Sequence, residues 1–247
     1  MVETISPETV RRVLASHQLK PWRVHHWLSP RAPRNAAFAS AARELCELYS
    51  RPLGPDEVVL SVDEKTSLQP RPRTAPTRPA RRGQPAQLEH EYARGGALHL
   101  FAAFDTRTGQ VIGWNAARKR AAEFIAFLDL LEASVPPTIH RVHVVLDNLS
   151  VHKSAAVRAW LTHHRRFRFV FLPVHCSWMN QVEQWLSILA RKVLRAPNFV
   201  DTLALDRQLH GYFAHWNARA HPFNWTTGSI AKVLAKCDES AAANAAA

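Results

Sequence analysis

Three acidic residues stand where a solvated carboxylate is not expected. Asp63 follows the apolar run of residues 58–62 in "VVLSVDEKTS", and Asp147 closes "HRVHVVLDN". Glu183 lies in "CSWMNQVEQWLSILARKVL", at the margin of a helical stripe made by Val182, Trp185, Leu186, Leu189 and Val193. The first two end β-branched-rich runs, which puts both at a sheet edge rather than mid-strand. If those strands are adjacent and parallel, their carboxy ends coincide and the two carboxylates lie side by side. Like charges that close are unfavourable unless a cation sits between them. Hard oxygen donors of this kind call for Mg²⁺ or Mn²⁺, and Glu183 would complete a site for two ions. Taken singly, each acid has a plainer explanation: Asp147-Asn148 is good turn chemistry, and Glu183 is an ordinary helix-boundary residue. The matched placement of the pair favours the site.

Such a site needs a rigid frame, and the chain supplies the elements for one. The periodicity predicts a strand over 58–62, a hairpin over 98–114, a helix over 121–133 and a strand ending on Asp147. A helix over 153–164, a strand over 167–172, a helix from about Asn180 and a last helix over 202–216 follow. The three leading strands can pair antiparallel. The strand before Asp147 reaches its neighbour through a helical crossover, which makes it parallel. The fold class is therefore α/β, a mixed sheet flanked by helices with a short helical N-terminal appendage, an order that the ribonuclease-H-like arrangement satisfies. In that appendage Ser6-Pro7 is a capping start, Val10, Val13 and Leu14 share a helical face, and a short segment follows Pro21. A further helix is predicted over 36–50. Residues 69–87, rich in proline and arginine without periodicity, read as an extended loop.

The 247 residues, 47% of them hydrophobic, suffice for one sizeable core. No run of eighteen apolar residues and no leader pattern is present, so the chain reads as soluble and cytoplasmic. Cys46, Cys176 and Cys237 are too few and too scattered for a disulfide framework or a zinc site. His25-His26 and His163-His164 are adjacent pairs whose side chains diverge on a helix, which argues against a histidine metal site. The formal charge of +12 attracts polyanions and makes acids in apolar surroundings stand out.

The motifs "SVDEK", "LDNLSVHK" and "SWMNQVEQW" resemble the three acidic motifs of bacterial insertion-sequence transposases of the mariner-related DDE superfamily. The likeness extends through "HEYARGGALHLFAAFDTRTGQVIG" and "WNARAHPFNWT", about residues 58–230, and thirty-five residues separate Asp147 from Glu183, which suits the family. Carried over by motif position, the resemblance implies that Asp63, Asp147 and Glu183 are a metal-binding catalytic triad holding two Mg²⁺ or Mn²⁺ ions. It implies cleavage of double-stranded DNA at terminal inverted repeats by water, then joining of the freed 3′-hydroxyl to target DNA. Both are in-line displacements at phosphorus that need no covalent enzyme intermediate. Two DNA ends imply a homodimer, and DNA as substrate implies a nucleoid-associated protein.

Asn148 and His152, in the motif of Asp147, and Asn180, beside Glu183, are candidate supports for the site. For His152 the alternative is a histidine that merely starts a helix. Arg71, Arg73, Arg78, Arg81 and Arg82 of the proline-rich loop, with Arg191, are candidate DNA contacts, against the plainer reading of a solvated charge run. Trp216 and Trp225 read as core packing. The expected organisation is a helical remnant of a DNA-binding or linker region over 1–50, a catalytic domain over 51–235 and a disordered tail over 236–247. Relatives carry a longer N-terminal helix-turn-helix region of which only residues 6–28 are recognisable. An inactive DNA-binding remnant or regulatory partner, and a cellular nuclease of the same fold, therefore remain open.

Overall fold

The sheet is assembled around the strand that carries Asp63. A computed structural model describes residues 4–17, 20, 36–195, 198–223, 232 and 235. Its strands are β1 (Glu57–Leu68), β2 (Leu98–Asp105), β3 (Val111–Ala116), β4 (Arg141–Leu146) and β5 (Phe167–Phe171), in the spatial order β3-β2-β1-β4-β5. β1 pairs antiparallel with β2, and β2 with β3. β4 joins β1 in parallel after helix α3 (Ala121–Ser134), and β5 joins β4 in parallel after helix α4 (Ala155–His163). The directions are those expected from the sequence, because each parallel pair needs a helical crossover and each antiparallel pair does not.

Backbone contacts divide the chain into two units, Met1–Pro33 and Arg34–Ala247. In the first, helix α1 (Pro7–Ser16) starts as expected, with Ser6 Oγ accepting from Thr9 N at 3.1 Å and proline in the first turn. It buries none of its residues. The segment expected after Pro21, His25 and His26 lie outside the described residues, as do Cys237, Trp225 and the tail 236–247.

In the second unit the two faces of the sheet are covered separately. Leu60, Val62, Val144 and Leu146 face Phe124, Phe127, Leu128 and Leu131 of α3 and Trp160 of α4. Burying each such side chain stabilises by about 1.5–3 kcal/mol, so these anchors fix α3 against the sheet. On the opposite face helix α2 (Ala36–Ser50) sets Ala42 and Leu45 against Val59 and Val145. Beside it, helices α5 (Gln181–Leu189) and α6 (Thr202–Asn217) cover Leu100, Ala102 and Phe104. α6 lies so close to β3 that a Cβ at Gly113 would fall 2.6 Å from the Phe213 ring. The edge of β3 is capped by Asn217, which donates to Val111 O and accepts from Val111 N, both at 2.8 Å. Among the described residues no helix is long and apolar enough to cross a membrane.

Two local expectations need correction. Asp63 does not end its strand: β2 keeps pairing beyond it, Asp63 with Ala102, Glu64 with Phe101 and Lys65 with Leu100, so β1 runs on to Leu68. What stops near Asp63 is the parallel ladder to β4, whose last pair is Ser61 with Val145. Two residues further in the same register, Asp63 comes level with Asp147. The proline-rich stretch is likewise more ordered than an extended loop. It goes out and back as an irregular antiparallel hairpin, with isolated bridges Arg73–Tyr92, Arg78–Gln87 and Arg81–Gln84 and a turn at Gly83, φ 75°. Pro70, Pro72, Pro76, Pro79 and Pro85 donate no backbone hydrogen bond, which keeps the bridges from merging into a ladder.

Candidate active site

Asp63, Asp147 and Glu183 are each half-buried, and the charges of Glu183 and Asp147 both act on Asp63. Alternation along β1 sends Ser61 and Asp63 to the face covered by α5, and Val62 and Glu64 to the face covered by α3. Asp63 Oδ1 accepts from Glu64 N at 2.7 Å. Burial pushes the Asp63 carboxyl up to about 8, and the side-chain charges acting most strongly on it are all negative: Glu183, then Glu64 and Asp147.

Glu183 is placed by a buried polar network that sequence reading missed in part. Asn180 Nδ2 donates to Val62 O at 2.9 Å, and Ser61 Oγ donates to Asn180 Oδ1. Ser61 Oγ also accepts from Val182 N at 3.0 Å, in the first turn of α5. Ser61 and Asn180 are 0% and 1% exposed, so their hydrogen bonds are made with each other and the backbone or not at all. Together they pin the start of α5 onto β1 and hang Glu183 beside Asp63. Tyr49 Oη adds a donor to Met179 O at 3.2 Å from α2. The signal for Ser61 was a lone hydroxyl inside an otherwise apolar strand.

Asp147 lies just past β4, where its Oδ1 accepts from Leu149 N at 3.0 Å. A 3₁₀ turn, Ser150–Lys153, then carries His152 back under the strand end, 2% exposed. His152 Nδ1 faces Asp147 Oδ1 at 3.1 Å, and Nε2 faces Glu64 Oε1 at 3.0 Å. Burial alone would lower the imidazole, but Asp147 and Glu64 outweigh it and hold its pKa up to about 9. Burial is the largest single influence on the Asp147 carboxyl and raises it, but His152, the Leu149 N–H and Lys153 together outweigh burial and leave a net depression. Asn148 ties the same loop to the residue just past β5, donating to Leu172 O at 2.6 Å, and accepts from Lys153 Nζ at 2.7 Å. Of the candidate supports, Asn180 and His152 are thus buried in the frame of the site, and Asn148 anchors its loop.

The candidate DNA-contact arginines are mostly exposed. Arg71, Arg78, Arg81, Arg82 and Arg191 are exposed, whereas Arg73 is half-buried and donates to Glu89 O across the hairpin. Arg71 stacks over the Tyr92 ring at 5.1 Å. His163 and His164 make local contacts, His164 stacking on Trp160 at 3.7 Å between ring centroids. Cys46 and Cys176 are buried in the apolar cluster under α2.

The donor set fits hard divalent cations. Asp63 and Asp147 each use one oxygen to accept a backbone N–H, keep a second oxygen, and stand with Glu183 in a patch whose mutual repulsion a cation would relieve. Among the described residues, no three His, Cys, Asp and Glu side chains are drawn together tightly enough to hold an ion as they stand.

A mixed sheet in this order, with acids at the carboxy end of the central parallel pair and on the helix packed beside it, is a ribonuclease-H-like fold. Residues 58–206 match the DDE superfamily endonuclease family, and the chain belongs to it. All three acidic motifs fall within the matched residues. The chain is similar to the insertion element IS630 uncharacterized 39 kDa protein of Shigella sonnei, 29% identical over 149 residues. That match covers 60% of this chain and 40% of the relative's length. Among solved structures, the catalytic domain of Mos1 mariner transposase superposes with a TM-score of 0.54 at 16% identity, over 90% of this chain and 97% of that one. The Mos1 mariner paired end complex with Mn gives a TM-score of 0.53 at 18% identity, over 97% and 71%.

Proposed function

We propose that this chain is the catalytic region of an insertion-sequence transposase, cutting DNA at element ends and joining the freed 3′-hydroxyl to target DNA. Asp63, Asp147 and Glu183 would hold the Mg²⁺ or Mn²⁺ ions, two in number, that the reaction uses. When bound, those cations supply charge stabilisation for in-line displacement at phosphorus. The protein's own work is placement. The Ser61–Asn180 network fixes the helix bearing Glu183, the register of β1 and β4 levels Asp63 with Asp147, and His152 orients the Asp147 carboxylate. Side chains held this way need no reorganisation as charge develops on the reacting phosphate.

One observation carries the reading: a half-buried carboxyl, Asp63, whose strongest charged neighbours are all acids, at the sheet end where this family's motifs lie. In an inactive DNA-binding remnant that arrangement would be destabilising and would serve nothing. On this reading residues 51–235 carry catalysis and residues 1–50 connect it to DNA recognition, with α2 packed under the sheet as the link. Arg71, Arg73, Arg78, Arg81, Arg82 and Arg191 lie along the DNA backbone, where their charge offsets the repulsion between phosphate and the acidic patch. Pairing two element ends calls for two copies of the chain, acting in the cytoplasm at the nucleoid.

The test is cleavage of a labelled duplex carrying a terminal inverted repeat of the element, with Mn²⁺ or Mg²⁺ and with chelator. Wild-type protein is expected to cut only with metal, and Asp147→Asn to bind the duplex without cutting. Metal-dependent cutting retained by Asp147→Asn would rule out the assignment.

A further inference from the structure

Glu64 sits next to Asp63 in the same motif, yet its side chain points to the other face of the sheet, where it is 6% exposed. Its strand partner there is Phe101, and that face is the apolar layer under α3. An acid at that position has to be held by a donor. The donor is His152 Nε2, 3.0 Å from Glu64 Oε1. The other ring nitrogen, Nδ1, has Asp147 Oδ1 at 3.1 Å and Asp147 O at 3.3 Å. Both nitrogens therefore face oxygen atoms, and the one ring bridges the carboxylates of Glu64 and Asp147. It cannot swing away, because the Phe124 ring lies 4.5 Å from it, centroid to centroid, and Phe124 is fully buried.

We infer that Glu64 is a positioning residue for the metal site. Through His152 it holds the carboxylate of Asp147 in the orientation that binds the cation. This rests on the reading of Asp147 as a metal ligand. Carboxylates that ligate metals are themselves held by hydrogen bonds, and losing such an outer partner typically weakens metal binding about 10–100-fold. Glu64 is not itself a donor to the ion, since strand alternation puts its carboxylate on the far side of β1 from that of Asp63. The arrangement also explains a motif with two consecutive acids. The first faces the cation, and the second braces, through a histidine, the acid contributed by the neighbouring strand.

Mn²⁺ binding to the full chain, followed by electron paramagnetic resonance without DNA, tests this in four proteins, with thermal denaturation as the control for folding. Glu64→Met keeps the side-chain volume on an apolar face but removes the acceptor, and Glu64→Gln keeps an oxygen for His152. Asp147→Asn is expected to lose binding. Glu64→Met is expected to bind about 10–100-fold more weakly than wild type, while Glu64→Gln recovers most of that loss. Wild-type affinity in Glu64→Met, with binding lost in Asp147→Asn, would overturn the positioning role and leave the metal site intact. Wild-type affinity in Asp147→Asn would overturn the metal-site reading itself. Equal weakening in Glu64→Gln and Glu64→Met would show that the hydrogen bond to His152 is not what matters, and so would also overturn the inference.

Discussion

Glu57 and Asp63 share one strand, and their surroundings are opposite. Glu57, 4% exposed at its side chain, meets Arg51 at 2.8 Å and Arg141, and also accepts from Gly54 N. The Arg51 hydrogen bond, with smaller help from Gly54 and Arg141, outweighs burial and draws its carboxyl down to about 2. Asp63 has acids around it, and its carboxyl rises to about 8. One strand thus carries an acid whose partners are built into the protein and an acid whose strongest charged neighbours are other acids. The first arrangement holds the fold together. The second is tolerable only because the sheet and the helix network hold it in place, and on the proposed reading that difference separates a structural carboxylate from one kept for a cation.

The contrast is broken most severely by exchanging roles. Asp63→Asn, Asp147→Asn and Glu183→Gln are each expected to lower metal-dependent DNA cleavage by about 10³-fold or more, the scale of losing a principal charge-stabilising group. Glu57→Gln, provided it is folded, is expected to cut at close to the wild-type rate. Comparable losses in all four variants, by single-turnover assay, would erase the distinction.

In stability the order reverses. Glu57→Gln is expected to cost about 1–2 kcal/mol by urea denaturation, below the value for a fully buried pair because the Arg141 side chain is 55% exposed. Asp63→Asn is expected to cost nothing or to stabilise in the absence of metal. The pH dependence follows in sign. Because the folded Glu57 carboxyl lies below its ordinary 4.5, its contribution is present above about pH 4.5 and is lost as the pH falls toward 2. The acid limb of the stability curve should therefore be shallower in Glu57→Gln, and an unchanged limb would show that its pairing with arginine adds nothing.

A smaller effect sharpens how the acidic end is held. Ser61→Ala leaves Val182 N and Asn180 Oδ1 without a partner, at about 1–3 kcal/mol, and should slow cleavage by less than any triad substitution because Glu183 is displaced and not removed. The smallest expected change is at the hairpin tip. If Arg81 and Arg82 each meet a phosphate, replacing both with alanine should lower the slope of log affinity against log salt by roughly 0.9 for each phosphate no longer neutralised. An unchanged slope would leave them as solvated charge.

Much of this was legible in the chain itself. Val142, Val144 and Leu146 predict β4 by alternation, and Phe124, Phe127, Leu128 and Leu131 predict α3 by their helical spacing. The alignment of Asp63 with Asp147 follows from one crossover helix. The continuation of β1 beyond Asp63 was not legible, because it depends on backbone pairing with β2 and no side-chain pattern announces it. The irregular hairpin bridged from Arg73–Tyr92 to Arg81–Gln84 escaped for the same reason. Ser61 and Glu64 were visible as residues but not as roles. A polar side chain on a strand acquires meaning only once the neighbouring element is known, here α5 for Ser61 and the turn carrying His152 for Glu64.

The most direct measurement is thermal denaturation of wild-type protein and Asp63→Asn, each with chelator and with excess Mn²⁺. If Asp63 belongs to a cation site, Mn²⁺ at about a hundred times its Kd should stabilise the wild type by about 2.7 kcal/mol and leave Asp63→Asn almost unmoved. An equal shift in both proteins, or none in the wild type, would contradict the claim that this end of the sheet is kept for a metal ion.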